Sequence, residues 1–143
     1  MPNELSEKVY PDGTVVKLRD DTARDQIAGI TTKTSGTISV NSGYNSRWQN
    51  LVKVNGIVYG VFIINATNVI SSRVTIGNIP SGFRPQITAS YLCPASDSIN
   101  GYQNRATNVI ITTGGEIVVG DIFVPAGQTI KEICCAFAYN QGN

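Results

Sequence analysis

Gly77-Asn78-Ile79-Pro80-Ser81-Gly82-Phe83-Arg84-Pro85 is a stiff corner with a strand-like run on either side. Pro80 and Pro85 fix φ and cannot donate to a ladder, while Gly77 and Gly82 permit conformations that other residues resist, so no strand runs through the stretch. The sheet turns here. Phe83 is placed to plug the edge of the core, with Arg84 lying over it as a cap. Upstream, Arg73-Val74-Thr75-Ile76 alternates cleanly. Downstream, residues 86–93 put Ile87, Ala89, Tyr91 and Cys93 on one face until Pro94 ends the strand.

Two further hairpins frame this corner. Asn55-Gly56 separates the apolar runs 48–54 and 57–64, and both positions favour the positive φ of a type I′ turn. Gly114-Gly115 separates residues 109–113 from 116–119 as a second two-residue hairpin, and Pro125-Ala126-Gly127-Gln128 makes the last turn. The run Ile57-Val58-Tyr59-Gly60-Val61-Phe62-Ile63-Ile64 is apolar on both faces. A strand on a one-sided sheet should alternate, so this one is covered twice: by the core and by a second layer, either a subunit or the rest of an ordinary sandwich. The closing run, residues 129–139, puts Ile133, Cys135, Phe137 and Tyr139 on one face and Cys134, Ala136 and Ala138 on the other. That small face suits a strand near a symmetry axis and a crowded interior equally.

The chain opens with a Pro11-Asp12-Gly13 turn between two short apolar runs, a hairpin signal because Pro presets φ and Gly supplies the exit. Residues 20–29 read as a helix of about two turns, capped by an Asp and ended by Gly29, with Ala23, Ile27 and Ile30 near one face. Thr31-Thr32-Lys33-Thr34-Ser35-Gly36 is polar, without periodicity, and reads as a linker. The division is residues 1–35, hairpin, helix and linker, then residues 36–143, the main domain. About eight short strands in the latter, joined by Asn, Gly and Ser turns, indicate an all-β sandwich of jelly-roll type.

The 143 residues carry a net charge of +1 with Lys and Arg scattered among Asp and Glu. That gives no basic stripe for nucleic acid or anionic lipid, and no apolar run approaches the ~20 residues of a membrane span. The first residues lack the order of a signal peptide, so a chain made and left in a cytoplasm is expected. The three cysteines, Cys93, Cys134 and Cys135, lack metal-ligand spacing and read as buried, reduced thiols. Histidine is absent, which removes Ser-His-Asp and Cys-His nucleophile systems and His-ligated zinc. No cofactor is called for.

The run Val9-Tyr10-Pro11-Asp12-Gly13-Thr14-Val15-Val16-Lys17-Leu18-Arg19-Asp20-Asp21-Thr22-Ala23-Arg24 resembles a segment near the start of tail, baseplate and head-fibre proteins of phages of Gram-positive bacteria. There it precedes a trimeric shaft or head. Asn78-Ile79-Pro80-Ser81-Gly82-Phe83-Arg84-Pro85-Gln86, followed by Thr112-Thr113-Gly114-Gly115-Glu116-Ile117-Val118 and a strand ending in Tyr139, is similar to the C-terminal head domains of phage tail fibres and baseplate receptor-binding proteins. The resemblance implies a virion protein: a homotrimeric β-sandwich head that attaches to the host surface, commonly through a polysaccharide, joined to other virion proteins by its N-terminal segment.

The resemblance supplies no binding residues, so candidates come from loop chemistry. Loops vary while a sandwich stays rigid. Tyr44 with Asn45 near Trp48, and Asp97, Asn100, Tyr102 and Asn104 in the longest loop, combine aromatic platforms with paired hydrogen-bonding groups suited to sugars. The competing reading of Trp48 is a residue that begins a strand and packs inside. A bacterial carbohydrate-binding module or lectin would share this fold and ligand class. A glycosidase would need two carboxylates ~5 to 9.5 Å apart. The domain offers Asp97, Glu116, Asp121 and Glu132, of which Glu116 and Glu132 read as solvated surface charge, so catalysis is not expected.

Overall fold

The computed structural model describes residues 7–17, 33–97, 105–126 and 128–141. The chain divides into two compact units, Met1–Thr32 and Lys33–Asn143. In the first, β1 (Glu7–Val9) and β2 (Val15–Lys17) pair antiparallel. Their turn forms as its residues dictate: Asp12 Oδ1 accepts the Thr14 amide at 2.9 Å, and Gly13 takes a φ of +83°. The same amide holds the Asp12 carboxyl below its ordinary value. The helix expected over residues 20–29 lies outside the described residues.

The second unit is one curled antiparallel sheet. Its strands are β3 (Lys33–Gly36), β4 (Ser39–Val40), β5 (Tyr44–Val54), β6 (Ile57–Ile70), β7 (Val74–Asn78), β8 (Ala89–Ser96), β9 (Ala106–Ile111), β10 (Glu116–Phe123) and β11 (Ile130–Asn140). They are ordered β3-β5-β6-β11-β8-β9-β10-β7-β4. The edge strands β3 and β4 are separated in sequence by Thr37 and Ile38 alone, so the two ends of the sheet must meet at that corner. Gln49 on β5 fastens it, accepting from Ile38 N at 2.6 Å and donating to Ile38 O at 3.1 Å. Among the described residues there is no α-helix.

The corner behaves as its Pro and Gly content requires. Chain pairing stops at Asn78, a single 3-10 turn spans Ser81–Phe83, and Phe83 is buried. The cap over Phe83 is Lys53, whose Nζ lies 5.6 Å from the ring centroid and donates to Gly82 O at 3.0 Å. Arg84 turns instead toward the neighbouring hairpin, its Nε donating to Ile79 O at 3.3 Å. Gly77 lies within β7 rather than in the turn, where the Ser39 carbonyl of β4 leaves no room for a side chain.

Four other sequence readings change. Lys33–Gly36 is not a linker but an edge strand paired to β5: its side chains are largely exposed, so the backbone ladder forms without any apolar alternation to announce it. Tyr44 and Asn45, expected in a loop, begin β5. The hairpin between β9 and β10 closes through three residues, 113–115, with Gly115 N donating to Thr112 O and Gly115 at φ +91°. Pro94 does not end β8. It stays in register with Ala106, while Ala95 N donates to Arg105 O on the β9 side. Successive amides alternate in direction, so the missing donor of Pro94 faces β11, and pairing with β11 is confined to Ala95 and Ser96.

The inside of the curl is filled by Leu51, Val58, Phe62, Ile64, Ile76, Ile79, Val109, Ile111, Ile117, Ile130 and Ile133, all essentially inaccessible. Each such side chain contributes about 1.5–3 kcal/mol by leaving water. An aromatic group closes the end beneath Phe83: Phe137 stacks on Tyr139 at 5.5 Å, and Tyr139 Oη donates to Phe83 O at 2.6 Å.

Candidate functional site

On β11 the side chains of Ile133, Cys135 and Phe137 enter the core, so Glu132, Cys134, Ala136 and Ala138 face outward. Register carries this outer face across its neighbours. Ala138, Ala136 and Cys134 stand opposite Tyr59, Val61 and Ile63 on β6, which stand opposite Val52, Asn50 and Trp48 on β5. The second face of β6 is thus apolar, as its sequence reads, and no other described strand lies over it. Tyr59 is 49% exposed, Ile57 39% and Trp48 52%, and Asn50, Val52, Tyr59, Gly60 and Val61 line a shallow depression of about 130 Å³.

The chemistry gathers at one end of this face, where two irregularities adjoin. On β5, Ser46 pairs with Ile64 and Trp48 with Ile63, leaving Arg47 as an extra, unpaired residue. From the Asn55-Gly56 hairpin the register runs unbroken from Val54 to Trp48, which sets the indole outward opposite Ile63, and the bulge reverses the residues before it, Tyr44 to Ser46. On β11, Ile130 pairs with Ile70 and Glu132 with Asn65, so residues 66–69 of β6 bulge against Lys131 alone.

Between the bulges runs a polar row: Asn45 on β5, Asn65 on β6, Glu132 on β11 and Ser96 on β8, each opposite the next. Arg47 reaches across β6, a span of about 10 Å, and its Nη1 donates to Glu132 Oε2 at 3.0 Å. The pair is asymmetric: the Arg47 side chain is 66% exposed and that of Glu132 6%. Asn65 Oδ1 is buried and has no hydrogen-bond partner among the described residues. Beyond Ser96, Asp97 pairs with the buried Arg105 at 2.9 Å.

Of the residues expected to contact a ligand, Asn45 and Trp48 fall in this cluster. Tyr44 does not: it is half-buried against the core, and burial pushes its hydroxyl up. Asp97 is engaged with Arg105 next to the row, and Asn100, Tyr102 and Asn104 lie outside the described residues. Arg47, Asn65 and Glu132 were missed. Glu132, read as solvated charge, is buried, and its signal was a carboxylate inside an otherwise apolar run. Cys93 and Cys135 are buried, but Cys134 is only half-buried and looks outward, correcting the expectation for that thiol. Among the described residues no group of three or more Cys, Asp or Glu side chains is placed to hold a metal, and no helix is long and apolar enough to cross a membrane.

The fold is similar to that of a phage receptor-binding protein. The crystal structure of the receptor binding protein (gp15) of Listeria phage PSA superposes with a TM-score of 0.52 at 12% identity, covering 93% of this chain and 82% of that one. No family model matches the chain, and no curated protein matches it. At this identity the likeness is one of fold.

Proposed function

We propose that this chain is a virion protein of a phage of Gram-positive bacteria, which attaches the particle to a host cell-surface polysaccharide as a homotrimeric β-sandwich head. The observation that carries the reading is the fold shared over 93% of the chain with the receptor binding protein of a Listeria phage. The uncovered apolar face of β5, β6 and β11 supports the trimer, since a face of this kind is stable when another copy lies on it. The N-terminal unit then joins the head to other virion proteins. Neither nucleic acid nor membrane insertion enters this role, in keeping with a net charge of +1.

The test is adherence of the fluorescently labelled full chain to a panel of Gram-positive cells, before and after periodate oxidation of their glycans. We expect adherence to at least one strain, abolished by periodate. No adherence anywhere at micromolar protein refutes attachment, and adherence lost to protease but not to periodate refutes the saccharide.

A further inference from the structure

We infer that the bulged end of the outer face is the ligand subsite of this attachment protein. It would take a neutral pyranose with adjacent hydroxyls, stacked on Trp48 and hydrogen-bonded by Arg47 and Asn65. The inference rests on the attachment reading above and names the place and the chemistry. Four observations converge on it.

The first is the bulge. The only tryptophan of the chain stands on the outward face, 52% exposed, directly beside the extra residue Arg47. An indole placed so in a strand offers a flat apolar platform to the CH face of a sugar. The second is Asn65 Oδ1, a desolvated acceptor without a hydrogen-bond partner among the described residues, two positions along β6 from the residue opposite Trp48. A ligand hydroxyl would satisfy it. The third is the exposed guanidinium of Arg47, held at one nitrogen by a buried carboxylate and keeping further N–H groups for acceptors on a ligand. Glu132 is here a positioning residue, fixing the guanidinium beside the platform. The fourth is charge. Arg47 and Glu132 cancel, as do Arg105 and Asp97, so the paired groups of this end carry no net charge toward a ligand, which suits a neutral hydroxylated ring.

Because Trp48 is the sole tryptophan, the native full chain reports on its own subsite. Extracted wall polysaccharide from a strain to which the parent adheres is titrated into the protein while indole emission is followed. We expect red emission from free protein, a blue shift that saturates with polysaccharide, and a loss of affinity of about 10- to 100-fold in Trp48→Ala. Arg47→Gln should weaken binding; because it also leaves the buried Glu132 carboxylate without its cation and so lowers the melting temperature, its affinity is compared at a temperature where both proteins are folded. Glu132→Gln should weaken binding less, because an acceptor for Arg47 remains.

Adherence of Trp48→Ala and Arg47→Gln equal to that of the parent overturns the subsite and leaves the attachment reading standing. A parent that adheres to nothing overturns both. Emission that is already blue in free protein and indifferent to polysaccharide shows the indole covered by a second copy, and also overturns the subsite.

Discussion

Gly60 has no side chain because Phe137, its register partner on β11, occupies the space where one would stand. The ring lies over the bare backbone, packs at 6.2 Å from Phe62 and 6.0 Å from Tyr91, and ties β6, β8 and β11 together. Gly60→Ala should therefore cost about 1–3 kcal/mol by overpacking, and Phe137→Leu added to it should restore part of the loss. Urea midpoints of the two variants against the parent measure this, and an Ala variant of full stability would sink the steric account. Tyr139 makes a pH prediction. Burial, then the neighbouring Tyr91, push its hydroxyl well above the ordinary value. A tyrosine raised in the folded state contributes stability that is intact below the unfolded value of about 10 and is lost as pH rises toward the native one. The urea midpoint should fall above about pH 10. Tyr139→Phe, which removes the bond to Phe83 O, should cost about 1 kcal/mol at neutral pH and flatten that fall. A residual slope from Tyr91, raised first by burial, should remain.

At the scale of elements, what could be read from the sequence was whatever local backbone chemistry decides. Asn55 and Gly56 take φ of +51° and +77°, Asp12 and Gly13 close their turn, and the Pro and Gly corner stops β7, because in each case one or two residue types force one conformation. What could not be read was set by partners far along the chain. Lys33–Gly36 is a strand only because β5 offers a ladder, and β8 passes through Pro94 only because the missing donor faces a side where pairing ends. The bulge at Arg47 is the costliest case. Alternation counted back from the Asn55-Gly56 turn sends Trp48 outward and would send Ser46 and Tyr44 the same way, but one unpaired residue reverses every position before it. Asn45 and Trp48 were proposed from residue type alone, whereas Arg47, Asn65 and Glu132 come together only through the pairing of three strands. Alternation on β11, which has no bulge after Glu132, gives a prediction of its own. Cys134 is the thiol that reacts with a maleimide in native protein, more slowly than a free cysteine since burial pushes its thiol up, while Cys93 and Cys135 stay protected until unfolding. Peptide mapping after timed labelling separates the three, and rapid modification of Cys135 would contradict the assigned faces.

For the whole molecule, the question is what the outer face of β5, β6 and β11 does besides carry the polar row. Its middle holds Val52, Tyr59, Val61, Ala136 and Ala138, a mixture of a large ring and small side chains that lets another backbone come close, and it lies beside the shallow depression. Scattered exposed apolar residues are ordinary, but contiguous ones across three paired strands mark a contact surface. A closed ring of copies about one axis uses such a face in every subunit and leaves none exposed, whereas an open arrangement would leave ends that aggregate. We therefore expect the parent to run as one species of about 46 kDa, three times the chain mass of 15.3 kDa, by light scattering coupled to size exclusion. Ala138→Glu and Tyr59→Lys each place a charge, with no partner for it, in the middle of that contact. Burying an unpaired charge costs several kcal/mol or more, so both variants should fall to single chains. They should keep the parent's far-ultraviolet circular dichroism, because both positions point away from the core. A parent that is monomeric at micromolar concentration, or variants that assemble as it does, would place the contact elsewhere and leave the apolar face of β6 without a cover.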